Sequence, residues 1–87
     1  MSKHKINGKN WDVRFTNVGL CEEYYGYCIY DKRIILIDPK EKKKRIVNTI
    51  IHEAIHAACQ QLTEEAVTEA ANVATEILFK NKKRISI

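Results

Sequence analysis

His52, Glu53 and His56 stand in the order H-E-x-x-H. If that segment is helical, residues four apart lie one turn above each other and both imidazoles point the same way. Their ring nitrogens can then reach one metal ion at about 2.0–2.1 Å. Glu53, next to the first histidine, is placed to take a proton from a water that the metal acidifies.

The helix that this chemistry needs is written in the flanking residues. Ile46, Val47, Ile50, Ile51, Ala54, Ile55, Ala57 and Ala58 recur at helical spacing. At about 100° per residue the apolar stripe centres near Ala54 and Ile50. His52 and His56 fall on the opposite side, so the histidine face is expected to look into an open cleft rather than the core.

Two histidines leave a catalytic zinc site short of one ligand, since such sites take three protein ligands and keep one position open. His4 is remote, in a polar N-terminal stretch expected to fray. A carboxylate or Cys59 must complete the set. A second helix is predicted after the short connection Gln60-Gln61-Leu62, with Thr63 as its cap. Ala66, Val67, Ala70, Val73, Ala74, Ile77 and Leu78 form its expected apolar stripe. It offers Glu64, Glu65, Glu69 and Glu76. A short connection makes the two helices antiparallel, which puts Glu76 too far along. Glu65 and Glu69 share a face off the stripe, Glu64 points elsewhere, and spacing does not separate Glu65 from Glu69.

Upstream, the pattern changes to period two. Trp11, Val13 and Phe15 alternate with Asp12, Arg14 and Thr16, as in a half-buried strand. Asn7-Gly8 is a turn signal, and residues 17–23 read as a loop with Gly19 as breaker. Residues 26–30 and 33–37 read as two further strands around an Asp31-Lys32 turn. The run Ile34-Ile35-Leu36-Ile37 suggests burial on both faces. Asp38 is suited to cap the first helix, with Pro39 at its first position and Glu41 in its first turn. The expected fold is α+β: an antiparallel sheet of about three strands, then the histidine helix and a second antiparallel helix packed on one face.

The 87 residues make one domain, residues 1–87, whose small core would gain from a metal. With 45% hydrophobic and 30% charged residues the chain is globular rather than disordered. No secretory leader and no apolar run near 18 residues is read, and Cys21, Cys28 and Cys59 are an odd set without C-x-x-C spacing. These features fit a cytoplasmic protein with reduced thiols and no membrane partner. A net charge of +4 permits weak association with nucleic acid through the basic runs at residues 40–45 and 80–84. No interleaving of aromatic and basic residues along the sequence adds a stacking surface.

Three segments together carry a family resemblance: Arg33-Ile34-Ile35-Leu36-Ile37-Asp38, then Thr49-Ile50-Ile51-His52-Glu53-Ala54-Ile55-His56-Ala57, then Leu62-Thr63-Glu64-Glu65-Ala66-Val67. The chain resembles the minimal zinc metallopeptidases common in phage and prophage genomes, which are similar to the peptidase domains of the ImmA/IrrE and SprT groups. The resemblance spans about residues 26–79. It implies a zincin-like domain with a gluzincin-like site, two histidines and a glutamate from the next helix. The family's recurrent glutamate lies two residues before the apolar position held here by Val67, which favours Glu65 as the third ligand.

On this reading zinc is the cofactor, His52, His56 and Glu65 hold it, and Glu53 is the catalytic base for hydrolysis of a protein or peptide substrate. Two imidazoles and a carboxylate suit zinc, though other transition metals fit the same set. Tyr24, Tyr25, Tyr27 and Tyr30 are oxyanion donors by residue type. The strand at residues 33–37, or its neighbour, would pair with an extended substrate. The rival reading is a zinc-stabilised module that binds a host or phage partner without cutting it.

Overall fold

Four strands and two helices follow one another in the computed structural model, which describes residues 2–17 and 25–87. They are β1 (Ser2–Ile6), β2 (Lys9–Phe15), β3 (Gly26–Ile29), β4 (Ile34–Ile37), α1 (Lys43–Ala58) and α2 (Glu64–Lys80). Gly19, Cys21 and Tyr24 lie outside the described residues, as does all of the expected loop but Asn17.

Asn7 and Gly8 both adopt positive φ, 52° and 78°. Two such residues in sequence make the tight turn whose twist suits a hairpin, and Ile6 pairs with Lys9 across it. The N-terminal stretch is therefore a strand and not a frayed end. Its residues up to Lys5 are exposed, so backbone pairing with β2 holds it rather than burial. The Asn7 amide also donates to the Ala58 carbonyl at 2.8 Å, which satisfies a free acceptor at the end of α1.

β3 and β4 form the second hairpin, with Ile29 paired to Ile34. The turn is a four-residue loop rather than Asp31-Lys32 alone. Arg33 closes it with φ 53°, and its N–H donates to the Tyr30 carbonyl at 3.2 Å. β4 then slots between β2 and β3. It runs parallel to β2, from Asp12 opposite Ile34 to Phe15 opposite Ile37. The result is a mixed four-stranded sheet in the order β1-β2-β4-β3. The α+β class stands, but the sheet has one strand more than expected and is not purely antiparallel.

One face of the sheet carries the core. Trp11, Ile35 and Ile37 are buried against Ala57 of α1, with Ile6, Val13, Cys28 and Ile46 around them. Tyr30 meets the Trp11 ring edge-on at 6.4 Å between centroids. Burial of β4 on both faces is not observed. Ile35 and Ile37 are covered by α1 while Ile34 and Leu36 are only half-buried, because both helices stand on the same side.

α1 starts later than expected. The Asp38 carboxylate accepts from the Lys40 N–H at 2.9 Å, a local turn that competes with helix capping. The helix begins at Lys43 after Lys42, which offers no side-chain cap. Thr63 does cap α2, accepting from the Ala66 N–H at 3.1 Å. α2 packs antiparallel on α1. Lys44 pairs with Glu76 at one end, Asn48 bonds Asn72 and Thr75 in the middle, and the histidines meet Glu64 at the other.

Gly26 is where β3 approaches α1. A Cβ there would sit 2.6 Å from Thr49 Cγ2 and 2.7 Å from the Leu36 carbonyl oxygen. Gly26→Ala therefore forces β3 off the helix and is expected to cost about 1–3 kcal/mol, the usual range for overpacking. A thermal melt would read this as a fall of at least about 4 °C. An unchanged melt would mean that the contact is looser than these distances.

Candidate metal centre

α1 faces two neighbours at once. Thr49, Glu53 and Ala57 are buried towards the sheet, and Asn48 reaches α2. At 100° per residue, His52 and His56 fall between those two directions. They therefore point into the crevice where sheet, α1 and α2 meet. Their side chains are 19% and 15% exposed, more enclosed than an open cleft would leave them. Ile50, expected at the centre of the buried stripe, is 37% exposed. Thr49 and Glu53 occupy the sheet-facing line instead.

The two Nε2 atoms are 3.2 Å apart, with ring centroids 4.8 Å apart. Glu64 closes the triangle. Its Oε1 lies 2.8 Å from His52 Nε2 and its Oε2 lies 2.7 Å from His56 Nε2. One ligand atom from each of the three residues falls within 4.8 Å of the others, and this is the group among the described residues that could hold a metal ion.

The donor set fits zinc. Tetrahedral bonds of 2.0–2.1 Å place neighbouring ligand atoms about 3.3 Å apart, and the histidine nitrogens already sit at nearly that spacing. The Glu64 contacts are shorter than that spacing. Its side chain, 63% exposed, is free to draw back the last half ångström or so demanded by such bonds. Three protein ligands leave a position open for water or substrate.

Glu65, favoured by the family resemblance, is not the residue brought to the histidines, and neither is Glu69. Both are exposed and outside the cluster. The cause is the rotational setting of α2. Val67, Ala71 and Thr75 are its buried residues, a line that includes Glu64 one turn earlier. Glu65 lies 100° round from that line. Ala66 and Ala70 are exposed, with Val73 at 48% and Ile77 at 58%. The apolar residues of α2 span an arc of about 160°, and the fold covers only one edge of it, the edge that Val67 and Ala71 share with Thr75. The missed signal was the connection itself: with so few residues after α1, the first residue of α2 is the one nearest His56.

Glu53 follows His52 on α1 and turns towards β3, only 8% exposed. Burial pushes its carboxyl above the ordinary range, His52 and His56 pull it partly back, and Glu64 adds to the rise. A cavity of about 500 Å³ opens beside it, with Tyr27 and Tyr30 on one wall and His52, Glu53, His56 and Glu64 on the other. Tyr25 lies apart from this cavity, in a second one of about 340 Å³ that reaches His52 and Glu64 from the α1–α2 side. Burial and the neighbouring Cys28 hold the Tyr30 hydroxyl above its usual pKa, so it remains a donor at neutral pH. Burial and the nearby Glu53 push the Cys28 thiol up to about 11. Cys28 is thus a neutral wall residue. Cys59, a sequence candidate, is a free cysteine outside the ligand cluster.

Among the described residues no helix is long and apolar enough to cross a membrane. No known protein family, curated protein or solved structure matches the chain.

Proposed function

We propose that this chain is a zinc-dependent peptidase of minimal size, of the kind that its resemblance to ImmA/IrrE-type and SprT-type domains implies. The observation that carries the proposal is the convergence of His52, His56 and Glu64 from two helices on one point, with the buried Glu53 beside them. A purely structural site has no use for a second, desolvated carboxylate beside Glu64.

In this reading His52, His56 and Glu64 hold the zinc. When bound, the metal supplies Lewis acidity, lowering the pKa of water towards 7 and polarising a carbonyl. Glu53 accepts the proton of the attacking water and hands it to the leaving amine. Its raised pKa suits that exchange, because a base works best with a pKa near the operating pH. Tyr30 or Tyr27 donates to the developing oxyanion from the facing wall. β3 is the outer strand on the site's side of the sheet, and no described strand pairs with its free edge. An extended peptide adds there by strand pairing. β4, the other sequence candidate for that role, is interior and has no edge to offer.

The second reading is a binding module stabilised by the same metal. It draws on the thinness of the core: among the described residues six apolar ones are buried, and two of them lie on α2. A metal joining the end of α1 to the start of α2 would matter for the fold alone. The deciding experiment incubates the zinc-loaded chain with a denatured protein mixture and reads new termini by mass spectrometry. We expect cleavages that disappear with chelator and return with zinc. A folded, zinc-bearing chain that cuts nothing would leave the binding module as the better account.

A further inference from the structure

We propose that the end of the helical pair farthest from the histidines binds the phosphate backbone of single-stranded nucleic acid. The basic residues gather there. Residues 40–45 supply five cations and residues 80–84 supply four, nine of the chain's 15. The two runs are far apart in sequence. The antiparallel pairing of α1 and α2 brings them together, as the 2.6 Å contact between Lys44 and Glu76 and the reach of Lys80 to that same glutamate record. Among the described residues Asp38, Glu41 and Glu76 are the acids at this end; Asp38 accepts from the Lys40 N–H and Glu76 is paired with Lys44.

The patch has shape as well as charge. A cavity of about 590 Å³ lies between the first turns of α1 and the last turns of α2, rimmed by Lys40, Lys42 and Arg45. Its floor is a fixed polar network, in which the Asn48 amide donates to Asn72 Oδ1 and Thr75 Oγ1 at 3.1 Å each. α1 begins without a side-chain cap and without an acidic residue in its first turn, so its free N–H groups add to the attraction for anions. A concave rim of cations admits a polynucleotide strand and not a flat bilayer.

Aromatic rings decide between a nucleic acid and an acidic peptide. Lys44 Nζ lies over the Phe79 ring at 5.9 Å and the Arg45 guanidinium over the Tyr25 ring at 4.4 Å. These pairs join residues remote in sequence, which is why aromatic and basic positions do not alternate along the chain. In space each of these two rings lies against a cation, and rings beside cations are what sequence-tolerant binding of single strands uses.

The test is fluorescence anisotropy of a labelled 20-nucleotide single strand with the full chain, in chelator, so that the metal centre and the peptidase proposal play no part. Binding at 50 mM salt is expected to weaken by roughly 50-fold at 200 mM, as about four phosphate contacts require. Joint replacement of Lys40, Lys42 and Lys43 by Gln should weaken it at least about tenfold and flatten the salt dependence. Tyr25→Leu and Phe79→Leu should each cost about five- to tenfold and leave the salt dependence unchanged. Lys3, Lys5 and Lys9 replaced by Gln, on the far hairpin, serve as the control of equal charge. The proposal falls if that control weakens binding as much as the basic-end variant does. It also falls if no binding occurs at 50 mM, or if polyglutamate or phosphatidylserine vesicles are held more tightly than the strand. Thermal melts of each variant separate lost binding from lost fold.

Discussion

His56→Ala is expected to take the purified protein from one zinc per chain to none, read by elemental mass spectrometry. Two of the three proposed ligands come from α1, and removing one leaves His52 and an exposed carboxylate, too few to hold the ion. Loss of a group that merely supports a ligand costs up to about 100-fold in affinity, so loss of a ligand should cost more. Glu64→Ala is expected to behave like His56→Ala, and Glu65→Ala like wild type. The opposite ranking of the two glutamates would mean that α2 sits about 100° round from the orientation described here. The same comparison has a stability readout. Zinc at 100 times its dissociation constant adds about 2.7 kcal/mol to a chain that binds it only when folded. In a domain of this size that is a rise of roughly 10–20 °C in melting temperature, which should be absent from His56→Ala and Glu64→Ala and full in Glu65→Ala.

The contrast between those two glutamates marks what this sequence discloses and what it does not. H-E-x-x-H, the two helices, the Thr63 cap and the β3–β4 hairpin are local features, legible from spacing and capping chemistry. The phase of α2 is not local. Ala66, Val67, Ala70, Ala71, Val73 and Ala74 spread over an arc of about 160°, and the partner helix decides which edge of that arc is buried. β1 has one apolar residue at its end, Ile6, so it gives no periodic signal. Only the Asn7-Gly8 turn announces it, through backbone geometry rather than hydrophobic pattern. The parallel pairing of β2 with β4 follows from a long-range choice of neighbour that no window of sequence contains. The site was legible as far as its helix and incomplete where it depended on how two helices meet.

Glu53→Gln should separate chemistry from binding. Cleavage is expected to fall by roughly 10²–10⁴-fold, the usual share of a positioned general base, with one zinc per chain retained, since Glu53 is not among the three converging residues. The metal-free protein should respond differently. Burial raises the Glu53 pKa above its ordinary value of 4.5, so the fold prefers the protonated form. The stability from this group is therefore complete below pH 4.5 and lost as pH rises through the raised folded value. At neutral pH the buried carboxylate weighs against the metal-free fold. The glutamine substitution removes that burden while filling the same space. Metal-free Glu53→Gln should melt above metal-free wild type at pH 7, and the gap should close as the pH is taken below 4.5. Zinc should narrow it too, because a cation beside the carboxylate favours its charged form. A variant that melts with wild type at every pH would place Glu53 in water rather than against β3. A variant that still cuts at the wild-type rate would move the base elsewhere in the cavity, with the peptidase proposal intact and its proton route wrong.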